Sequence, residues 1–357
     1  MNLAARAIAL YLPQFHPIPE NDAWWGKGFT EWTNTAKAKP LFRGHYQPHV
    51  PADLGFYDLR LEETRVAQAE LAKKYGIEAF CYYHYWFGGR RLLNRPFDEV
   101  VSSGAPDFPF CVCWANETWS GIWHGAPKTV LVEQTYPGDE DHRRHFETLL
   151  PAFSDKRYLR VDGRPLFWIY NTSTIPDIER VLQLWRNMAS EAGLTGLYII
   201  GTSRASDLDL TTLGFDGIAD MPPHSKRPWI SRRRPVAWLR QQLAHKRGIP
   251  HTVDFANFAK QSTRPKSNNY ETYPIVIHAW DNTPRSGVNG VVYTNSSPNA
   301  YRRLLEAAVS SVAHKPPERR LIFLKSWNEW AEGNHLEPDL RDGHQYLQVI
   351  ADVLVPV

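Results

Sequence analysis

Short apolar runs alternate with longer helical stretches along most of this chain. Residues 7–13, 77–86, 108–116, 165–171, 197–201, 215–221, 274–282 and 321–324 are apolar runs bounded by turn-forming or polar residues, and they read as strands. Residues 61–75, 96–103, 141–153, 178–192 and 299–312 carry apolar positions at helical spacing, and 346–354 supplies a closing helix. Gly76 and Gly193 stop two of these helices. Strands separated mostly by helices predict an alternating β/α fold. Eight strands is the count of the closed (β/α)8 TIM barrel. A doubly wound open sheet would want a glycine-rich first turn, and Leu12, Pro13, Gln14 and Phe15 offer none. The expectation is therefore one α/β barrel domain over residues 1–357, interrupted by a basic insertion at 222–252 between the sixth and seventh strands.

The polar residues are not evenly spread. Trp, Tyr, His, Asn, Asp and Glu gather after strands one, two, three, four, seven and eight, at their C-terminal ends. Barrel enzymes build their sites on that face. After the last strand come Trp327, Asn328, Glu329, Trp330, Glu332 and Glu337, with Gly333 and Pro338 marking turns. Carboxylates three positions apart meet on one side of a helical turn, with Cβ atoms roughly 5–6 Å apart. That is near the roughly 5–5.5 Å carboxyl separation of retaining glycoside hydrolases. Glu329 and Glu332 are accordingly the candidate catalytic pair. Trp24, Trp25, Trp32, Trp86, Trp114, Trp327 and Trp330 are candidates to stack on sugar rings. Tyr11, His45, Tyr83, His84, Asn116 and Asn328 are candidates to bond sugar hydroxyls, and Asp220 and Asp281 either do so or cap helices. Glu117 ranks behind the pair because no second acid stands beside it.

Composition narrows the classes. A net charge of +3 is too small to imply nucleic acid. The three cysteines, Cys81, Cys111 and Cys113, sit within predicted strands and read as buried thiols. His16, His45, His84 and His278 could be read as metal ligands, but no two lie at i, i+4 spacing, so neither a metal nor another cofactor is expected. No apolar run approaches the roughly 20 residues of a membrane span. The first residues enter a strand without a secretory signal pattern, which leads to the expectation of a cytoplasmic location. One stretch, 224–247, holds Lys226, Arg227, Arg232, Arg233, Arg234, Arg240, Lys246 and Arg247 with Trp229 and Trp238 and no acid. It reads as a solvated insertion, or as a contact for an anionic substrate, a lipid pyrophosphate carrier or an acidic membrane surface. Nothing in the sequence sets the oligomeric state.

Six ordered motifs carry a family resemblance. They are Tyr11-Leu-Pro-Gln-Phe-His-Pro17, Trp24-Trp-Gly-Lys-Gly-Phe-Thr-Glu-Trp32, Gly44-His-Tyr-Gln-Pro48, Phe80-Cys-Tyr-Tyr-His-Tyr-Trp86, Cys113-Trp-Ala-Asn-Glu117 and Trp327-Asn-Glu-Trp-Ala-Glu-Gly333. Together they resemble the WbsX-type, glycoside hydrolase family 99-like proteins of bacterial O-antigen and surface-polysaccharide loci. The resemblance implies a (β/α)8 barrel acting on a polysaccharide or lipid-linked oligosaccharide. It carries both a hydrolase and a transferase label. True family 99 enzymes, similar chiefly in the last motif, are retaining endo-mannosidases without a metal. That similarity implies Glu329 as the base that takes the sugar 2-hydroxyl proton and Glu332 as the acid for the leaving oxygen. Gly121-Ile-Trp-His124 departs from the family pattern of an Arg-rich turn with an Asp. A glycosyltransferase and a non-catalytic glycan-binding barrel are the competing readings.

Overall fold

The computed structural model describes residues 3–121, 126–203, 209–222, 235–263 and 270–355. Eight parallel strands form a closed ring: β1 (Arg6–Tyr11), β2 (Ala79–Phe87), β3 (Phe110–Trp114), β4 (Arg164–Ile169), β5 (Tyr198–Ser203), β6 (Gly217–Asp220), β7 (Thr272–Ile277) and β8 (Leu321–Lys325). Each pairs in parallel with the next, and β8 pairs with β1. The chain thus folds as the (β/α)8 barrel that its apolar rhythm predicts.

The helices follow the same rhythm. α1 (Pro19–Trp25) and α2 (Glu31–Lys37) lie in the long segment after β1, followed by α3 (Glu62–Lys74). α4 (Arg95–Ser103), α5 (Asp139–Ser154) and α6 (Ile178–Glu191) follow β2, β3 and β4. Between β5 and β6 the described residues contain only a 3-10 turn, Leu210–Leu213. α7 (Pro235–Lys246) and α8 (Phe255–Ser262) separate β6 from β7. α9 (Thr283–Ser286), α10 (Pro298–Val312) and α11 (Gln345–Leu354) complete the chain. Residues 223–234 of the basic segment lie outside the described residues. Its remainder forms α7 and its end, where Lys246 and Arg247 are exposed. A small parallel sheet outside the ring, His251–Asp254 with Val291–Thr294, has no counterpart in the sequence reading.

Strand parity decides what reaches the mouth of the barrel. All nine residues of β2 are buried, but alternate side chains face opposite ways. Tyr82 packs on Phe97 of α4, while His84 and Trp86 pack on His145 of α5. Tyr83 and Tyr85 line the open cleft instead. The three cysteines are buried free thiols, as their mid-strand positions predict.

Candidate active site

The acid loop begins at Lys325, the last residue of β8. Ser326 accepts the Glu329 amide (3.0 Å) and donates to the Asn334 carbonyl (2.6 Å), folding the loop back on itself. Asn328 anchors it to β1, accepting from the Leu12 amide (2.7 Å) and donating to the Leu12 carbonyl (3.0 Å). Trp330–Glu332 is one turn of 3-10 helix rather than α-helix. It ends at Gly333, whose φ is +55° and where a Cβ would stand 2.8 Å from the Asp281 Cβ. Glycine is needed there both for the left-handed turn and for the close approach. The approach lets the Asp281 amide donate to the Glu332 carbonyl at 2.6 Å.

Glu329 and Glu332 reach the floor of a cleft of ≈ 830 Å³. Its walls include Trp25, Tyr83, Tyr85, Asn116, Glu117, Trp119, Tyr136, Tyr170 and Trp280. Two cations, one buried and one partly buried, hold the acids. Lys325 Nζ donates to Glu329 Oε1 at 2.7 Å and lies 3.7 Å from Glu332 Oε2. The same ammonium sits over the rings of Trp280 (5.3 Å) and Tyr83 (5.9 Å). Arg285 of α9 donates to Glu332 Oε1 (2.7 Å) and to Glu31 Oε1 of α2 (2.5 Å).

Charge counting within this buried cluster gives three carboxyls, Glu31, Glu329 and Glu332, against two cations, Lys325 and Arg285. The cluster is neutral when one carboxyl keeps its proton. Burial and the neighbouring Glu329 charge push Glu332 up to about 8, despite the opposing pull of Arg285 and Lys325. Burial also works against ionised Glu329, but Lys325, a hydrogen bond from Glu332 and Arg285 outweigh it and hold the group well below the usual carboxylate range. At neutral pH the cluster thus contains an ionised Glu329 beside a protonated Glu332. Two neighbouring acids with opposed protonation states are the electrostatic equipment of general acid–base chemistry.

The other residues singled out in the sequence divide sharply. Trp25, Tyr83, Asn116 and Glu117 line the cleft. Asn116 is fully buried, with its amide fixed by Tyr136, the Asn171 carbonyl and the Asn171 amide, so it orients the wall rather than offering free donors. The rest do not line the cleft. Tyr11 faces α3 and donates to Gln68. Trp24 meets Trp119 edge-on behind the wall. Trp32 donates to the Tyr57 carbonyl and packs on Phe15 and Trp330. His84 and Trp86 stack on His145 and Trp114 meets it edge-on, on the helix side of the barrel. Trp327 is fully buried against Phe80, and Trp330 donates to Glu337 and stacks on His335. Asn328 is spent on β1, as described. Asp281 accepts from His45, Gln47 and Thr283, so His45 and Asp281 brace each other. Aromatic rings at strand ends satisfy the core as readily as a ligand, and parity separates the two roles.

Lys325, Arg285, Glu31, Tyr85 and Trp119 belong to the cleft and carried no functional assignment from sequence. A lysine closing an otherwise apolar strand four residues before an acid is the one signal that could have pointed to the ion pair.

A family model described as Glycosyltransferase WbsX matches residues 7–350. The chain is 39% identical over 353 residues to the protein WxcX of Xanthomonas campestris pv. campestris, covering 99% of this chain and 50% of that protein. It therefore spans about half the length of the curated relatives it matches. Among solved structures, one described as a glycoside hydrolase-like protein has a TM-score of 0.62 at 15% identity, covering 99% of this chain and 94% of that one. The GH99 endo-alpha-mannosidase of Bacteroides thetaiotaomicron has a TM-score of 0.60 at 17% identity, covering 98% of this chain and 95% of that one. At such identities the structural likenesses establish a shared fold.

Proposed function

We propose that this chain, which belongs to the WbsX family, is a carbohydrate-active enzyme that cleaves a bacterial surface polysaccharide or its lipid-linked precursor with retention, using Glu329 and Glu332. The carrying observation is the pair of buried carboxyls, held by Lys325 and Arg285, at the base of an aromatic-walled cleft. Glu332 acts as the acid. It gives its proton to the glycosidic oxygen as the bond from C1 to that oxygen breaks. Ionised Glu329 serves one of two roles. On a sugar with a 2-hydroxyl trans-diaxial to the leaving group, such as an α-mannoside, it takes the 2-hydroxyl proton while O2 closes on C1. On other sugars its oxygen attacks C1 directly. Water or a sugar hydroxyl then attacks C1 and loses its proton to Glu332. In the first case the C1–O2 bond breaks and O2 regains its proton from Glu329; in the second, the bond from Glu329 to C1 breaks.

Bound sugar must separate the two carboxyls, because the glycosidic oxygen replaces Glu329 as the acceptor of the Glu332 proton. Trp25, Tyr83, Tyr85 and Trp119 offer flat faces for the ring, and Glu117 lines the same cleft. The fold likeness to a GH99 endo-alpha-mannosidase supports α-mannan as the first glycan to try.

The family description favours a second reading, glycosyl transfer in polysaccharide assembly. The two are separated by offering the chain α-mannan and polysaccharide from its source bacterium in one arm, and nucleotide sugars in a calorimetric titration in the other. New reducing ends support the glycosidase. Saturable nucleotide-sugar binding without new reducing ends refutes it in favour of transfer. Glycan binding with no turnover, unchanged in Glu329→Gln and Glu332→Gln, would indicate a non-catalytic glycan-binding barrel.

A further inference from the structure

Behind the acid loop, the fold brings together three side chains that the cleft does not use. His49 Nδ1 and His335 Nε2 stand 2.8 Å apart. Asp339 Oδ2 lies 3.6 Å from the first and 3.9 Å from the second. Tetrahedral zinc with bonds of roughly 2.0–2.1 Å sets its ligand atoms roughly 3.3–3.4 Å apart, and the three observed separations bracket that spacing. His335 Nδ1 donates to the Glu337 carbonyl at 2.9 Å, which leaves the Nε2 lone pair facing the cluster. Metal-binding histidines are oriented by this kind of bond on the far ring nitrogen. Asp339 uses Oδ1 for the amides of Arg341 (3.1 Å) and Asp342 (2.6 Å), so Oδ2 is the oxygen turned to the imidazoles. His335 and Asp339 are buried, and the His49 side chain is 13% exposed.

We propose that His49, His335 and Asp339 bind one divalent transition-metal ion, with zinc favoured by two imidazoles and a carboxylate. The ion staples the segment around His49 to the acid loop. The two segments already pair through the backbone, with the Ala52 amide on the Pro338 carbonyl and the Leu340 amide on the Val50 carbonyl, both at 2.9 Å. The metal reinforces that junction and fixes the His335 ring, which stacks on Trp330 at 3.7 Å within the acid loop. Its role is positional, and the inference stands apart from the reaction proposed for Glu329 and Glu332. Sequence spacing conceals the site because His49 and His335 are 286 positions apart. The histidines weighed there, His16, His45, His84 and His278, are other residues.

The test uses untagged full chain, stripped with chelator and dialysed, then titrated with Co(II) alone. One equivalent should give visible d–d absorption, and one equivalent of Zn(II) should remove it. Zinc should also raise the thermal midpoint by mass action. His49→Gln and Asp339→Asn, matched to wild type by circular dichroism, should each weaken Co(II) binding by more than the roughly 10–100-fold that loss of an outer-sphere partner costs. Wild-type chain that takes up no stoichiometric Co(II) or Zn(II) overturns the proposal, whatever the variants do. So does binding of equal affinity in both folded variants.

Discussion

Replacing Lys325 with methionine removes one of two cations from a cluster of three buried acids while keeping most of the side chain's volume. Lys325 holds Glu329 ionised through a 2.7 Å contact in which both partners are about 95% buried (4% and 5% exposed). Removing one member of such a pair costs about 3–5 kcal/mol if the survivor stays charged. At 1.36 kcal/mol per pKa unit, that is roughly 2–4 units of upward pressure on the Glu329 carboxyl. Its ionisation should therefore move from below the working range into it. Lys325 also lies 3.7 Å from Glu332, so that carboxyl rises further as well. The assay is kcat/KM for glycan cleavage across pH about 4 to 9. Wild type should show no acidic limb from Glu329 before acid unfolding. Lys325→Met should acquire one, with its alkaline limb displaced upward. Profiles of the same shape in both proteins would refute the assignment of Lys325 as the group that sets the charge of Glu329.

Glu332 also predicts a stability difference. Its folded pKa of about 8 exceeds the unfolded value near 4.5, so the folded chain retains a proton that the unfolded chain releases. Its contribution is complete below about 4.5 and is lost as pH rises towards about 8, so wild type should lose stability relative to Glu332→Gln across that window in chemical denaturation. A gap independent of pH would contradict the raised pKa. Gly333→Ala should lower stability by about 1–3 kcal/mol and reduce turnover, because its φ is +55° and the new Cβ would stand 2.8 Å from Asp281 Cβ. Urea midpoints and rates measured on one preparation check both effects. Trp119→Ala should raise KM by about tenfold, equivalent to roughly 1.4 kcal/mol, with a smaller change in kcat. An unchanged KM would remove Trp119 from the sugar-binding wall.

The barrel is legible in the chain because parallel strands covered on both sides are written as apolar runs, and helical periodicity fills most intervals between them. Residues 321–324 mark β8 in this way, and Glu329 and Glu332 stand out just beyond it. What the runs do not state is which alternate residues face the mouth. His84 and Trp86 resemble Tyr83 and Tyr85 in type, yet the first two turn to α5 and the second two to the cleft. The ion-pair partners are harder still. Arg285 and Glu31 are 254 positions apart, and only barrel closure brings them to the same acid loop. The fully buried Trp327 shows the converse, a ring beside the acid pair that packs in the core.

The most direct test of the Glu329–Glu332 pair is release of new reducing ends by wild type, Glu329→Gln and Glu332→Gln on one glycan that wild type cleaves. Each glutamine variant should lose on the order of a hundredfold or more of the rate while keeping its fold. Release undiminished in either variant would contradict the assignment of that carboxyl to catalysis.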